Sequence, residues 1–225
     1  MQITERFEKE TSRDYALRMI KNNIIMLNLK PGSIVSENEL ASELGLSRTP
    51  VREALIELNK TQIVEIYPQK GSYISKVCPS LVEEARFLRL VLENAMVELA
   101  CQCATKNDLA LLEENLKLQE FYLENYSPDK LLEMDNQFHK YIFQICNKMQ
   151  TYSLMDSMMA HFDRVRSMSL HTVKDIKIVE DHRKIVEAIK EKNKENGIAF
   201  MTKHLSRYQI DKDEIIKKYP GYFKL

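Results

Sequence analysis

Fifteen residues, IVEIYPQKGSYISKV (63–77), interrupt a chain whose apolar residues otherwise recur at helical intervals. β-Branched and aromatic residues crowd together here, and a Pro-Gln-Lys-Gly turn splits them into two short runs, which predicts a β-hairpin. No strand signal follows it. The chain must therefore build its core mainly from helices, with one hairpin between a short helical beginning and a long helical remainder. Pro (6) and Gly (5) are scarce in 225 residues, while Leu, Ile, Lys, Glu and Met are common, as helices require.

Ahead of the hairpin, RDYALRMIKNNIIMLNL spaces Tyr15, Leu17, Ile20, Ile24, Ile25 and Leu27 along a helix that KPGS (30–33) ends. SENELASELG follows, with Ser36 and Glu39 in capping-box spacing and Gly45 placed to stop the helix. A third helix starts in LGLSRTPVREALIELNK, capped by Ser47 or, with Pro50 as first helical residue, by Thr49. Helix, helix, tight turn, helix and hairpin make a winged helix-turn-helix over residues 1–77. Residues 78–225 are expected to form an all-α bundle of six helices, about 80–104, 107–125, 128–147, 150–169, 174–192 and 195–217. The fold class is thus mainly α.

No run of eighteen apolar residues exists, so no membrane span is expected, and the polar start MQITERFEKETSRDYA is no export signal. Cys78, Cys101, Cys103 and Cys146 lack zinc-knuckle spacing and read as free thiols in a reducing cytoplasm. Residues 1–77 hold 11 Lys and Arg against 10 Asp and Glu. With no basic excess, a case for nucleic acid must rest on where the cations sit.

They sit on the third helix. Leu40, Leu44, Leu46, Val51, Leu55 and Leu58 form its seam with the second, which leaves Arg48, Thr49 and Arg52 outward at the helix start. A helix N-terminus already carries partial positive charge, so cations there imply an anionic partner. Phosphates dock on such an end, and an arginine reaches guanine O6 and N7 bidentately. Lys70 and Gly71 at the hairpin tip suit a neighbouring minor groove. The simpler reading is a solvated face in which the arginines pair with Glu53 or Glu57.

A second constellation lies in the bundle. LLEMDNQFHKYIF puts Asp135 and His139 on one helix face, IVEDHRKIVEAI sets His182 in an apolar stripe, and AFMTKHLSRY does the same with His204. Burying three imidazoles and a carboxylate unpaired costs several kcal/mol, which a shared cation removes. The donor set suits Zn²⁺ first, with Ni²⁺, Co²⁺ or Mn²⁺ as alternatives. His161 is read as a residue that could line the same cavity, and His171 as a solvated helix end. No separate base or nucleophile stands beside these residues, so an enzyme such as a metal-dependent hydrolase ranks last.

Residues 36–77, with LSRTPVREAL at their centre and KGSYIS closing the hairpin, resemble the DNA-binding domain of GntR-type bacterial transcription regulators. The resemblance implies DNA contacts by Arg48, Thr49, Arg52, Lys70 and Gly71. Asn38 departs from a commonly basic position, and Gln62 replaces the family's usual helix-ending glycine. Residues from about 80 to 215 resemble the FCD ligand-binding domain of the FadR subfamily through DNQFH, DHRKIVEAI and MTKHL, which implies Asp135, His139, His182 and His204 as metal ligands. There Lys192-Asn193 replaces a familiar Gly-Asp. RLVLE (89–93) is similar to the family's Arg-x-x-Leu-Glu, so Arg89 either clamps a small carboxylate effector or simply pairs with Glu93. The implied protein is a cytoplasmic homodimeric regulator, a repressor, that binds a palindromic operator and answers a small organic acid. In the alternative, the metal ion itself is the signal.

Overall fold

The computed structural model describes residues 1–172 and 177–224, excluding the side chains of 208, 210 and 211. Thr11 caps α1 (Ser12–Ile25) by accepting from the Asp14 N–H at 3.1 Å. After β1 (Ile34–Val35), Ser36 caps α2 (Glu37–Leu44), and Gly45 ends it at φ 64°, a left-handed conformation cheap only for glycine. Ser47 is the cap of α3 (Arg48–Lys60), although its hydroxyl makes no capping bond. The hairpin is β2 (Val64–Tyr67) and β3 (Gly71–Ile74), paired antiparallel from Val64 opposite Ile74 to Tyr67 opposite Gly71. Sequence reading passed over β1, two residues that add to the hairpin in the order β1-β3-β2.

The bundle comprises α4 (Pro79–Cys103), α5 (Lys106–Glu124), α6 (Pro128–Ile145), α7 (Met149–Met158), α8 (Ala160–Thr172), α9 (Lys177–Lys190), α10 (Lys194–Leu205) and α11 (Arg207–Lys218). Two of the six expected helices are therefore broken. At Met159 the N–H reaches only three residues back, to Asp156, which tightens the turn between α7 and α8. At Ser206 the hydroxyl bonds the Thr202 carbonyl at 2.7 Å, and the Ser206 N–H is shared between the Thr202 and Lys203 carbonyls (3.1 and 3.2 Å), which marks the end of α10 before α11. The expected start of α9 at 174–176 lies outside the described residues.

Both departures from glycine fall where glycine would be easiest. Gln62 has φ 60° and Lys192 φ 56°, so each holds a side chain in the left-handed region. On α10, a Cβ at Gly197 would stand 2.7 Å from Val97 Cγ1, which shows how closely α10 lies on α4.

Two buried clusters result. One runs from Tyr15 to Ile74 and the other from Val77 to Phe223. α8 touches both, because its first residue, Ala160, packs in the N-terminal cluster while Phe162, Val165 and Met168 pack in the other. The C-terminal tail closes the junction, with Val77 N–H donating to Tyr222 O at 2.8 Å and Lys224 N–H to Val77 O at 2.9 Å.

Candidate functional site

α6, α9 and α10 bring the expected metal residues together. Ligand atoms of Asp135, His139, His182 and His204 all lie within 4.8 Å of one another, and all four residues are buried. His204 Nε2 is 3.2 Å from both His139 Nε2 and His182 Nε2, and Asp135 Oδ1 is 3.5 Å from His182 Nε2. An ion bound at about 2.1 Å spreads its ligand atoms roughly 3–4 Å apart, so these spacings fit one.

The residues behind the imidazoles decide which nitrogen faces the centre. Asn115 Nδ2 donates to the Met134 carbonyl (3.1 Å), which leaves Asn115 Oδ1 to accept from Gln119 Nε2 (2.6 Å). Gln119 Oε1 must then face His182 Nδ1, at 2.8 Å, and accept its proton. His139 Nδ1 lies 2.5 Å from the carboxylate oxygen Glu93 Oε2, a separation that requires a proton between them, and on a neutral ring that proton is the one on Nδ1. Both histidines are thus tautomers with a bare lone pair on Nε2, and both lone pairs face His204 Nε2. A single proton on His204 can satisfy only one of them. Burial, the largest influence on each, holds all three pKa values below the ordinary imidazole range, so the rings are neutral and able to ligate. A cation at the centre satisfies what hydrogen bonding cannot.

Arg89 is buried, and its Nε donates to Glu93 Oε1 at 2.6 Å, the i, i+4 pair that is one of the two readings its sequence allows. Glu93 therefore joins Arg89 to His139. Its burial alone would raise the carboxyl pKa, but the Arg89 charge and the close donors of Arg89 and His139 outweigh that and bring it to about 2. Arg166 on α8 was not anticipated. It pairs with Asp135 Oδ2, and its Nη1 donates to Asp163 Oδ1 (2.6 Å) and Asn136 Oδ1 (2.7 Å). The i, i+3 spacing of Asp163 and Arg166 is the only mark they leave in the sequence, and it is that of an ordinary helix-surface pair. Glu93 and Gln119 were equally invisible as histidine partners, because each lies on a different helix from its ring.

His161 does not line this centre. It sits on the opposite face of α8, with Nδ1 accepting from Arg164 at 2.8 Å. The reason is helical geometry: Arg166, which faces the centre, is five residues further along α8 and about 140° around the helix from His161. His171 is exposed near the end of α8, 3.4 Å from Asp129 Oδ1.

On α3, Arg48, Thr49 and Arg52 are all exposed in the first turns. Arg48 pairs with Glu37 of α2 at 2.5 Å instead of Glu53 or Glu57, and Arg52 has no carboxylate partner among the described residues. Glu57 is engaged by Arg13 and Lys60. At the hairpin tip, Lys70 is exposed and Gly71 has φ 99°, a conformation strained for any side chain.

Residues 14–74 match the bacterial regulatory proteins of the gntR family, and residues 84–207 match the FCD domain. The HTH-type transcriptional repressor RspR of Escherichia coli is 29% identical over 207 residues, which cover 92% of this chain and 91% of that protein. An uncharacterized HTH-type transcriptional regulator from an unstable DNA locus of Streptomyces ambofaciens is 30% identical over 212 residues, 94% of this chain and 89% of its own. The solved structure of E. coli McbR/YncC shares the fold at TM-score 0.80 and 22% identity, covering 93% of this chain and 99% of that one.

Proposed function

The chain belongs to the GntR family of bacterial regulatory proteins and carries an FCD domain, and from that premise we propose how this DNA-binding transcriptional regulator works. It is a cytoplasmic homodimer whose two N-terminal domains, residues 1–77, occupy the half-sites of a palindromic operator. Residues 78–225 bind the signal and form the dimer. The division is supported by the two hydrophobic clusters, one filled by residues between Tyr15 and Ile74 with Ala160 added, the other by residues from Val77 onward. Repression is the expected direction, since RspR is named a repressor.

On DNA, Arg52 reads a base edge while Arg48 leaves Glu37 for a phosphate. An exposed ion pair of this kind is worth at most about 1 kcal/mol, so the exchange costs little. Thr49 adds a phosphate contact, and Lys70 and Gly71 approach the minor groove.

Asp135, His139, His182 and His204 would hold a divalent ion, Zn²⁺ before Ni²⁺, Co²⁺ or Mn²⁺. The observation that carries this is the pair of bare Nε2 lone pairs fixed by Gln119 and Glu93. Bound there, the ion supplies a Lewis-acidic anchor for the carboxylate of a small organic acid. Arg89, held through Nε by Glu93, offers the rest of its guanidinium to the same carboxylate. α8 links this centre to DNA binding, since Arg166 grips Asp135 while Ala160, on the same helix, packs among the N-terminal residues.

The test is operator affinity of metal-stripped protein titrated first with Zn²⁺, then at fixed Zn²⁺ with a panel of small carboxylates. A change at the second step supports the effector reading. A change at the first step alone makes the metal the signal, and turnover of any carboxylate would overturn the regulator reading of this site.

A further inference from the structure

A second polar site lies at the junction of the two domains, on the face of α8 away from the histidine centre. Arg164 is fully buried, with its Nη1 donating to the Ser75 carbonyl (2.6 Å) and its Nη2 to His161 Nδ1 (2.8 Å). Neither partner is a carboxylate, and no acidic side chain reaches this guanidinium among the described residues. An uncompensated buried cation costs several kcal/mol. Because arginine can only donate, the bond to His161 Nδ1 puts the imidazole proton on Nε2. That Nε2 is buried and makes no well-formed hydrogen bond, although the Thr61 and Gln62 carbonyls face the ring, and the Ser75 hydroxyl and Arg164 Nε are buried without a partner among the described residues.

His161 and Ser75 line a cleft of about 130 Å³, roughly the liquid volume of four waters. Lys76 and Lys224 stand at its edge, the latter held by the tail's bonds to Val77. Glu65 is the one carboxylate lining it among the described residues, and its Oε2 is taken by the Tyr67 hydroxyl at 2.6 Å. Cys78, also lining, shares its hydrogen with Ser80 Oγ at 3.2 Å. The cleft is therefore cationic, with two unused donors and room for one small group. α3 carries Arg48 at its far end, on the order of 18 Å away along its 13 residues, so the cleft is distinct from the arginine end of that helix.

We propose that this junction cleft binds a phosphate group, either the free ion or the end of a small phosphomonoester, through Ser75 Oγ–H and His161 Nε2–H over the Arg164 charge. Ser75 follows the wing, whereas His161 and Arg164 belong to the effector domain. The ligand would therefore fix the angle between the two.

The experiment is calorimetric titration of the full chain with inorganic phosphate and, in parallel, glycerol phosphate. It is run at constant ionic strength, stripped of metal and in an Arg48→Ala/Arg52→Ala background, so that neither the histidine centre nor the DNA surface contributes. One saturable site per chain is expected for at least one ligand, weakened tenfold or more by His161→Leu and by Ser75→Ala, and kept in Cys78→Ser. Ser75→Ala removes a single oxygen, so its folding is secure even if His161→Leu destabilises. No saturable binding, equal affinity in both cleft variants, or loss in Cys78→Ser would overturn the proposal. Displacement by acetate at equal concentration would overturn the phosphate assignment.

Discussion

Gln119→Leu isolates the claim that second-layer partners, rather than the ligands alone, make the histidine cluster a metal centre. Gln119 is fully buried and bridges Asn115 Oδ1 and His182 Nδ1 at 2.6 and 2.8 Å. Leucine matches its bulk but strands one donor and one acceptor, each costing about 1–3 kcal/mol when buried. His182 can relieve half of this by moving its proton to Nε2 and donating to His204 Nε2, 3.2 Å away. The net loss of metal-free stability should then be about 1–3 kcal/mol, while the lone pair needed for the ion disappears. Metal affinity should fall about 10–100-fold, the usual effect of removing such a partner. Competition against a chromogenic chelator measures the affinity, and long-range ¹H–¹⁵N NMR of His182 reports the tautomer. Gln119→Glu restores an acceptor and should recover most of the affinity. Wild-type affinity in a folded Gln119→Leu protein, or an Nε2 proton on His182 in the unaltered metal-free chain, would refute the reasoning.

Three other outcomes follow from the same geometry. Arg52→Ala should cost roughly 1–3 kcal/mol of operator affinity and relax one base position in a binding-site selection; unchanged selectivity would remove Arg52 from base reading. Gln62→Gly and Lys192→Gly should each stabilise the fold by about 1 kcal/mol in denaturant unfolding, because each frees a side chain from positive φ; a loss at either position would mean its side chain contributes more than the strain costs. His161 should titrate near pH 4 by NMR in phosphate-free buffer, since burial first, and the Arg164 charge second, push its pKa down to about 4. A depressed histidine stabilises the fold above its unfolded pKa of about 6.5. This contribution, roughly 3 kcal/mol, is lost as pH falls from there through 4, and a midpoint near 6.5 would contradict the burial.

The elements were legible where short-range chemistry sets them. Ser36, Gly45 and the Pro-Gln-Lys-Gly turn each act within a few residues, and α2, its end and the hairpin fall where they point. β1 was not legible, because Ile34 and Val35 become a strand only when β3 arrives from almost forty residues away. The breaks at Met159 and Ser206 were hidden for a related reason. Apolar spacing continues across both, and each break depends on a backbone N–H that reaches a carbonyl three residues back, Asp156 for Met159 and Lys203 for Ser206.

The metal residues show the same limit inside one site. Helical spacing tells that Asp135, His139, His182 and His204 face inward, since each pattern is complete within its own helix. It cannot tell which ring nitrogen meets the others, because that depends on Glu93 of α4 and Gln119 of α5, far off in the chain. Nor can it place Arg166, whose spacing with Asp163 looks like any surface pair until α8 turns it onto Asp135. His161 shows the same limit: the sequence allows it to line the cavity, yet its position on α8 sends it to the opposite face. A count of ligand-type residues therefore locates a site, while its chemistry is settled by the groups that fix each proton, and those arrive only with tertiary structure.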